Sequence, residues 1–325
     1  MFLVTGGCGF IGSHLVAALL RCGHEVRVLD NLSSGSAEHL AAGARLIRGD
    51  IRDAAAVAEA MAGAAGCFHL AAIASLASSN ADWRESHDVN VAGTIAVLDA
   101  ARRAGKKAPI RVAFASSASV YGSAGEPPFQ ETASPRPVST YGTDKRACEL
   151  YAGVAAELHG VPSVGLRLFN VFGPRAAAGV VSIFCRRIAE GRTVTIFGDG
   201  EQTRDFVHVD DVVAGFLAAM EAPLARPALI NICTGQATSV VALAETVAAL
   251  CRRGLRVEHR EAPVGHVQTS VGDPTLARNL LGFAPRTDLA AELAAMLGSG
   301  GSRQPGFSLF SGSRGGPGER LHAER

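Results

Sequence analysis

The sequence predicts an α/β protein built on a doubly wound parallel sheet, with a smaller mixed α/β domain after it. Three observations support this prediction. Short β-branched runs alternate with longer helical patterns over the first two-thirds of the chain, which is typical of β-α-β units. A glycine-rich turn directly follows the first of these runs. Hydrophobic residues make up 48% of the 325 positions, which is enough for one or two domains with a large core.

The predicted strands are short apolar runs, and the segments between them have the 3.6-residue periodicity of helices. Strands are expected at residues 2–4, 25–29, 45–48, 67–70, 111–115 and 164–168. Helices are expected at residues 13–22, 89–105 and 141–159. Six parallel strands connected in this way form a doubly wound sheet, which binds its ligands at the carboxyl edge of the strands.

After Asn170 the pattern changes to short mixed elements, with a strand expected at Val194–Phe197 and a helix at Val240–Cys251. We therefore expect a first domain over residues 1–169. A second domain is expected mainly over 170–297, with some return of the chain to the first domain near 205–222. Residues 298–325 are rich in Gly, Ser and Arg and are expected to form a flexible tail.

The composition excludes several classes of protein. With 31 basic and 30 acidic residues, the chain lacks the positive surface typical of nucleic-acid binders. No run approaches the ~18 apolar residues of a membrane span, and the first strand begins directly after Met1, which leaves no room for a signal peptide. The seven cysteines are scattered and never in C-x-x-C spacing. We expect a cytoplasmic protein with no membrane or nucleic-acid partner, no disulfides and no metal.

The glycine-rich turn TGGCGFIG (5–12) indicates a dinucleotide site. It has the spacing G-x-G-x-x-G through Gly7, Gly9 and Gly12, and G-x-x-G-x-x-G through Gly6, Gly9 and Gly12. Glycines here let backbone N–H groups and a helix N-terminus approach a pyrophosphate. The alternative is a purely structural turn. The strand before the turn and the amphipathic helix after it favour a Rossmann-type nucleotide site.

Acidic residues at the ends of the next two strands refine this prediction. Asp30 ends the second strand, about twenty residues after the turn, where a carboxylate accepts hydrogen bonds from a ribose 2′-OH and repels a 2′-phosphate. NAD is therefore favoured over NADP. Asp50 and Ile51 follow the third strand and are expected at the adenine, although Asp50 could instead be a helix N-cap. His69, at the end of the fourth strand, is interpreted as a satisfied core residue.

Hydroxyl groups end the fifth strand, and the segment STYGTDK (139–145) begins a helix. Tyr141 and Lys145 are one helical turn apart and share a face. An ammonium beside a phenol favours the phenolate. Because the chain has only three Tyr and three Lys, chance rarely produces this spacing. The alternative is a surface pair without a chemical role.

Taken together, the motifs resemble a known family. TGGCGFIG, GDI, HLAA, SSASVYG, YGTDK, LRLFNVFGPR and IFGDGEQTRDFVHVDDV occur in this order within residues 1–297. They resemble the extended short-chain dehydrogenase/reductase family in its NAD-dependent epimerase/dehydratase branch, and within it the nucleotide-sugar 4-epimerases. Pattern and resemblance together place cofactor contacts at Gly6, Gly9, Phe10, Ile11, Gly12, Asp30, Asn31, Asp50, Ile51, Leu70, Ala71, Ala72, Asn90, Tyr141 and Lys145.

The resemblance implies a UDP-hexose substrate and NAD that stays bound through turnover. Tyr141 is expected to take the proton of the sugar 4-OH as the C4 hydride moves to the nicotinamide. Ser117 is expected to hydrogen-bond O4, and Lys145 to hold the nicotinamide ribose. The 4-keto sugar then turns, and hydride returns to its other face.

The resemblance also places substrate contacts in the second domain. Asn170 and Arg204 are expected at the diphosphate, Thr195 and Phe197 along the uracil, and Ser270 beside the sugar C2 substituent. Without the resemblance, Arg204 could simply pair with Asp205 or Asp210. A homodimer is implied in which helices 89–105 and 141–159 form a four-helix bundle through Ala-rich faces. Those faces contain Ala92, Ala96, Ala147 and Ala155.

Two departures from the family pattern concern the substrate. Residues 263–266 read PVGH where the family often has R-x-G-D, and Arg260 is a candidate substitute for that Arg. Ala74 replaces a Lys found near the cofactor in some members.

Three alternative functions remain open from the sequence. A 4,6-dehydratase needs an additional acid and base, usually Asp-Glu, where this chain has Ala118 and Ser119. A 4-ketoreductase of the same family is the other enzymatic alternative. A non-catalytic dinucleotide-binding protein would have no need of the Ser117, Tyr141 and Lys145 combination.

Overall fold

The computed structural model describes residues 1–105, 108–224, 226–262 and 265–298. Within these ranges the strands are β1 (Phe2–Thr5), β2 (Val26–Asp30), β3 (Arg45–Arg48), β4 (Gly66–His69), β5 (Val112–Ser117), β6 (Ser163–Leu168), β7 (Asn170–Phe172), β8 (Val194–Phe197), β9 (Thr203–Arg204), β10 (Phe206–His208), β11 (Ala228–Ile232), β12 (Thr238–Ser239), β13 (Val257–Arg260) and β14 (Thr269–Ser270).

The helices over the same ranges are α1 (Phe10–Arg21), α2 (Ala54–Met61), α3 (Leu76–Ala81), α4 (Trp83–His87), α5 (Gly93–Ala104), α6 (Thr140–His159), α7 (Val180–Ala189), α8 (Val209–Glu221), α9 (Val240–Cys251), α10 (Thr275–Leu281) and α11 (Leu289–Gly298). The helix expected at 89–105 is divided, because a π-helical turn, Asp88–Ala92, precedes α5. The first helix begins at Phe10 rather than at residue 13, since Gly9 is its N-cap.

The large sheet has seven parallel strands in the order β3-β2-β1-β4-β5-β6-β11. The doubly wound α/β prediction is confirmed, and each of the six predicted strands is present. The prediction of only six strands was wrong, because β11 pairs with β6 at the edge of the sheet. Its apolar run is interrupted by Asn231, which is fully buried and hydrogen-bonded. Because of this polar residue, the sequence pattern did not predict the buried strand.

Helices cover both faces of this sheet, as the strand alternation requires. On one face α1 and α8 pack together over a core that includes Val4, Val28 and Phe216. On the other face α2 and α5 pack together, and α6 lies beside α5. The core under that second face includes Leu3 and Phe114.

The C-terminal part forms a smaller mixed layer. Helices α7, α9 and α11 surround a separate apolar cluster that includes Phe184, Val194 and Leu243. Small sheets pair β8 with β13, β7 with β10, and β9 with both β12 and β14. The mixed α/β character expected of this part is confirmed.

The chain returns to the large sheet through α8 and again through β11. The domain boundary between residues 169 and 170 stays a prediction. Of the expected tail, Gly298 is the last residue of α11, and residues 299–325 lie outside the described ranges. In the described part of the chain, no helix is both long and apolar enough to span a bilayer.

Candidate active site

The glycine-rich turn runs close to the end of β4. Gly6 has φ +70°, and a Cβ there would lie 2.6 Å from the Ala71 nitrogen. A Cβ on Gly12 would overlap the Gly6 carbonyl. The N-cap of α1, Gly9, has no side chain to bind the first-turn N–H groups of Phe10, Ile11 and Gly12. Those groups have no carbonyl partner within the helix, so they are available to an anion.

Asp30 lies where the turn meets the end of β2. Its Oδ2 accepts a hydrogen bond from the Cys8 N–H at 2.9 Å, and its Oδ1 accepts one from Leu32 N–H at 2.8 Å. A carboxylate has about four acceptor positions. Two remain, which is the number that a ribose with two vicinal hydroxyls requires.

Asp50 is held in a network of charged and polar side chains. Arg52 binds it through Nε at 2.9 Å and through a second guanidinium nitrogen at 2.8 Å, and Asn31 Nδ2 donates to it at 2.9 Å. The Arg52 hydrogen bonds hold the pKa of the Asp50 carboxyl well below its usual range. The alternative N-cap role for Asp50 is wrong, because Asp53 caps α2. Ile51 is buried against Gly93.

The segment after β4 is fixed by backbone and side-chain bonds. Leu70 N–H donates to the Thr5 carbonyl at 3.1 Å, and Ala71 N–H to the Thr5 hydroxyl at 3.4 Å. Asn90 is buried, and its side chain binds both the N–H and the carbonyl of Ile73, directly after Ala72. In the structure Asn90 therefore holds this segment in place, and its expected contact with the cofactor stays a prediction.

His69 is a satisfied core residue, as interpreted from the sequence. Its Nδ1 lies 2.7 Å from the Thr5 hydroxyl and its Nε2 lies 3.0 Å from the Thr94 hydroxyl. Burial, with a smaller contribution from the Lys145 charge, lowers the pKa of His69 to about 3. The imidazole is therefore neutral at physiological pH.

Ser117 ends β5 at its carboxyl edge, and α6, which carries Tyr141 and Lys145, packs against that strand and the short turn after it. Ser117 is the last residue of that strand and is nearly buried, and its Oγ accepts from the Ser119 N–H at 3.1 Å. Lys145 Nζ donates to the Ala115 carbonyl of β5 at 2.8 Å and lies 5.7 Å from the centre of the Tyr141 ring. Ser139 caps α6 by accepting from the Gly142 N–H at 3.1 Å. The cap and the Lys145 bond hold the start of α6 against β5.

The residues expected at the substrate lie on paired short strands. Arg204 on β9 and Ser270 on β14 are register partners, and Asn170 N–H donates to the carbonyl of Asp205. The Arg204 guanidinium donates only to carbonyls, those of Thr203 at 2.8 Å and Gln268 at 3.3 Å. Asn170, Arg204 and Ser270 thus lie in one neighbourhood, and their contacts with the substrate stay predictions.

Within the described ranges, Arg204 forms no ion pair with an acidic side chain. The Asp205 carboxylate is used by the Thr234 hydroxyl and by backbone N–H groups of Thr234 and Gly235. Asp210 lies beside His208. The alternative in which Arg204 pairs with Asp205 or Asp210 is therefore wrong. Burial lowers the pKa of Arg204, so this cation is partly desolvated without a counter-ion.

The remaining substrate candidates lie around β8. Phe197 is about half exposed, and Gln202 Nε2 donates to its carbonyl at 2.9 Å, which links β8 to β9. Thr195 lies two residues earlier on the same strand. Arg260, the candidate substitute for the missing family Arg, is opposite Phe197 on β13, where Glu258 binds its guanidinium at 3.0 Å.

A cavity of about 310 Å³ lies between the chain after Tyr121 and residues 265–269. His266, Gln268 and Thr269 contribute to its wall. Burial and the Arg204 charge lower the pKa of His266. Pro263 and Val264, the other residues at the R-x-G-D position, lie outside the described ranges, and Ala74 is exposed.

The family model described as NAD dependent epimerase/dehydratase family matches residues 2–233. The chain belongs to this family. A UDP-glucose 4-epimerase of Mycolicibacterium smegmatis is 38% identical over 304 residues, which cover 90% of this chain and 96% of the relative.

Solved structures of family members agree with this assignment. A Thermotoga maritima UDP-glucose 4-epimerase, determined with UDP-glucose, superposes with a TM-score of 0.87 at 36% identity and covers 91% of this chain and 97% of its own. A UDP-N-acetylglucosamine 4-epimerase of Methanobrevibacter ruminantium, in complex with UDP-N-acetylmuramic acid, gives a TM-score of 0.85 at 31% identity. It covers 91% of this chain and 96% of its own.

NAD is the cofactor of this epimerase/dehydratase family member, and the residues present fit it. The free N–H groups of the first turn of α1 suit a pyrophosphate, because they and the helix dipole favour negative charge. Asp30 has two acceptor positions left for ribose hydroxyls. The Lys145 ammonium lies at the end of β5, 2.8 Å from the Ala115 carbonyl, and 5.7 Å from the centre of the Tyr141 ring.

A buried charged cluster that the sequence pattern did not predict lies directly behind the catalytic candidates of this family member. Glu149 and Arg167 form an ion pair at 2.8 Å, and both side chains are almost fully buried. Ser116 Oγ donates to the same carboxylate at 2.7 Å. One signal was present in the sequence, because Tyr141, Lys145 and Glu149 follow each other at intervals of four and therefore share one face of α6.

Proposed function

We propose that this enzyme is an NAD-dependent nucleotide-sugar 4-epimerase that inverts C4 of a UDP-hexose through a transient 4-keto sugar. One observation carries the proposal. The phenol and ammonium groups of α6 are neighbours, the ammonium is bonded to β5 two residues before the Ser117 hydroxyl, and the second part of the chain contributes a half-buried guanidinium without a counter-ion in the described ranges. The epimerases to which the chain is similar support the same activity.

In the proposed mechanism, Tyr141 takes the proton of the sugar 4-OH and later returns it to O4. The Lys145 ammonium favours the phenolate form of Tyr141 by Coulomb attraction. Ser117 donates a hydrogen bond to O4 and orients it towards the phenol. NAD held at the first turn of α1 and by Asp30 would supply reversible hydride transfer at C4. Inversion requires the 4-keto sugar to rotate, so binding must depend on the diphosphate more than on the sugar ring.

Arg204 and Asn170 are proposed to bind that diphosphate, since a guanidinium can bind phosphate oxygens through two parallel hydrogen bonds. Thr195 and the half-exposed Phe197 are proposed to line the uracil. Ser270, the register partner of Arg204, is proposed to lie beside the C2 substituent. Its small side chain leaves room for an N-acetyl group and offers a hydroxyl to it.

The proposed activity is tested by product analysis. Purified protein is incubated with UDP-glucose, UDP-galactose and their N-acetylated counterparts, with dTDP- and GDP-sugars as controls, and the products are followed by NMR. We expect C4 epimers only, with the acetylated pair interconverted at least as well as the other pair. A product that has lost the elements of water would identify a dehydratase, and no conversion of any sugar would contradict the proposed activity.

The structure gives the competing activities less support. A 4,6-dehydratase needs an acid and a base beside the catalytic hydroxyl. The residues at those positions, Ala118 and Ser119, begin the short 3₁₀ turn after β5 and have no carboxylate. A non-catalytic nucleotide-binding protein gains nothing from placing Lys145 in a desolvated position beside a phenol.

We propose that two copies associate through α5 and α6 into a four-helix bundle. These neighbouring helices expose large apolar side chains on one surface, defined by Ile95, Leu150, Tyr151, Val154 and Leu158. Of the Ala residues expected on these faces, Ala92 is exposed and Ala96 and Ala147 are half-buried, whereas Ala155 packs into the chain's own core. An exposed apolar surface of this kind is typical of a protein interface.

The cytoplasmic location also stays a prediction.

Replacing both Val154 and Leu158 with Asp should convert the dimer into monomer, because two buried charges on each copy face each other across a two-fold interface. The oligomeric state is measured by light scattering at micromolar concentration. Asp substitutions at the exposed Leu250 and Leu280, which lie elsewhere, are the matched control and should leave the dimer intact. A monomeric wild-type protein would contradict the proposed assembly.

A further inference from the structure

The Glu149 carboxylate connects α6 to two strands of the large sheet. Its Oε1 accepts hydrogen bonds from Ser116 Oγ at 2.7 Å and from Arg167 Nε at 2.8 Å. Its Oε2 accepts from a second Arg167 nitrogen at 2.9 Å and from Arg146 at 3.0 Å. Ser116 and Arg167 are register partners on β5 and β6. One side chain thus ties the helix to both strands at the same level of the sheet.

The catalytic candidates lie at the same level of the sheet as the Glu149 carboxylate. Ser116 directly precedes Ser117, and Glu149 is one turn after Lys145 on the same face of α6. The Lys145 bond to the Ala115 carbonyl is a second polar connection between this helix and β5. The Glu149 cluster and Lys145 therefore hold α6 against β5 at two consecutive turns.

Arg167 extends the cluster away from the helix. Its guanidinium lies 4.8 Å from the centre of the Tyr121 ring and donates to the Tyr121 hydroxyl at 3.0 Å. That hydroxyl donates to Asn231 Oδ1 at 2.7 Å, and burial raises the pKa of Tyr121 to about 12. Every polar group in this chain of contacts has a partner, so the buried charges are compensated.

Stability alone does not explain this arrangement. Removing two charges from water has a large cost, and a buried ion pair generally adds little compared with apolar residues of the same volume. Its distinctive property is directional, because a bidentate guanidinium–carboxylate pair fixes both partners in position and angle. A reaction that transfers a proton and a hydride at one carbon depends on such placement.

We propose that Glu149, with Arg167 and Ser116, is a positioning residue that sets the placement of the Tyr141 hydroxyl relative to Ser117. It contacts neither substrate nor cofactor and acts through α6. The proposed diphosphate and uracil contacts lie on β7, β8 and β9, and the hydrogen bonds of Glu149, Arg167 and Ser116 go to other residues. The cluster therefore governs turnover rather than substrate affinity. This inference rests on the proposed function, because epimerase turnover is its main readout.

The test compares a single and a double variant. Glu149→Gln should lower kcat by about 10²-fold, the effect of a small misplacement, while KM changes by less than about twofold. It should also lower the unfolding midpoint, since Arg167 is left buried without a carboxylate. The double variant Glu149→Leu/Arg167→Met removes both charges and should regain the midpoint without regaining kcat. Glu190→Gln, in an exposed ion pair with Arg192, is the control for loss of a carboxylate.

A double variant that recovers wild-type kcat along with its stability would overturn the proposal, because the cluster would then be purely structural. Ser116→Ala provides an independent test, since it removes one hydroxyl and leaves no unpaired charge. It should lower kcat by about tenfold at unchanged KM. Wild-type kcat in this variant would overturn the proposal whatever the Glu149 variants do. Failure of the proposed function appears in the wild-type protein itself, whereas failure of the positioning role appears only in variants of an active wild type.

Discussion

Tyr141→Phe should lower turnover by at least ~10²-fold while leaving the fold and the bound NAD intact, because it removes a general acid/base and no buried contact. The phenol is only partly buried and its ring remains in the variant. Lys145 keeps its bond to the Ala115 carbonyl, so the start of α6 stays in place. Steady-state kinetics measures the loss, and the cofactor released on denaturation measures NAD retention.

Tyr151→Phe is the matched control for this experiment. Tyr151 lies on the same helix, is nearly half exposed and belongs to the proposed dimer surface, where the aromatic ring rather than the hydroxyl is buried. The control should retain turnover within about twofold. Wild-type turnover in Tyr141→Phe would remove Tyr141 from the mechanism. Equal losses in both variants would mean that the effect comes from α6 as a whole.

The fold was predictable from the sequence wherever local pattern and tertiary structure agree. Strands β1 to β6 and the helices between them have regular periodicity. The glycine-rich segment forms the expected turn, in which Gly6 has the positive φ that glycine adopts readily. The catalytic candidates were predictable for the same reason, since Tyr141 and Lys145 are neighbours on a single helix. The position of Ser117 at the same edge as the glycine-rich turn follows from the rule that ligands bind at the carboxyl ends of parallel strands.

The features that the sequence did not predict depend on long-range pairing. β11 contains a buried Asn, and its side chain is bonded to the Phe129 carbonyl and the Tyr121 hydroxyl, about a hundred positions earlier. In the sequence, Glu149 and Arg167 resemble ordinary surface charges, because only the packing of α6 against β5 and β6 brings them together. The sequence also did not predict the hydrogen bonds between Arg52 and Asp50. Residues two positions apart do not face each other in a helix, and this pair is in contact because it lies in a loop.

Arg204→Met should weaken substrate binding strongly and make the protein more stable. The guanidinium is half-buried without an acidic partner among the described residues, and desolvation lowers its pKa. An apolar side chain of similar length removes that desolvation cost, so the free energy of unfolding should rise by about 1 kcal/mol. Two charge-assisted hydrogen bonds to a diphosphate are lost together, which should raise KM by about 10²-fold.

Urea unfolding of the NAD-bound protein measures the first effect, and steady-state kinetics with the UDP-sugar measures the second. Arg260→Met is the matched control, because that guanidinium is exposed and bound by Glu258. It should change KM by less than about twofold. A rise in KM for Arg260→Met equal to that for Arg204→Met would make Arg260 the second diphosphate contact. An unchanged KM with lower stability in Arg204→Met would make Arg204 structural. Weaker substrate binding together with a higher free energy of unfolding would identify Arg204 as a cation kept unpaired for an anionic ligand. A structural arginine stabilises the folded state, so its replacement would lower the free energy of unfolding.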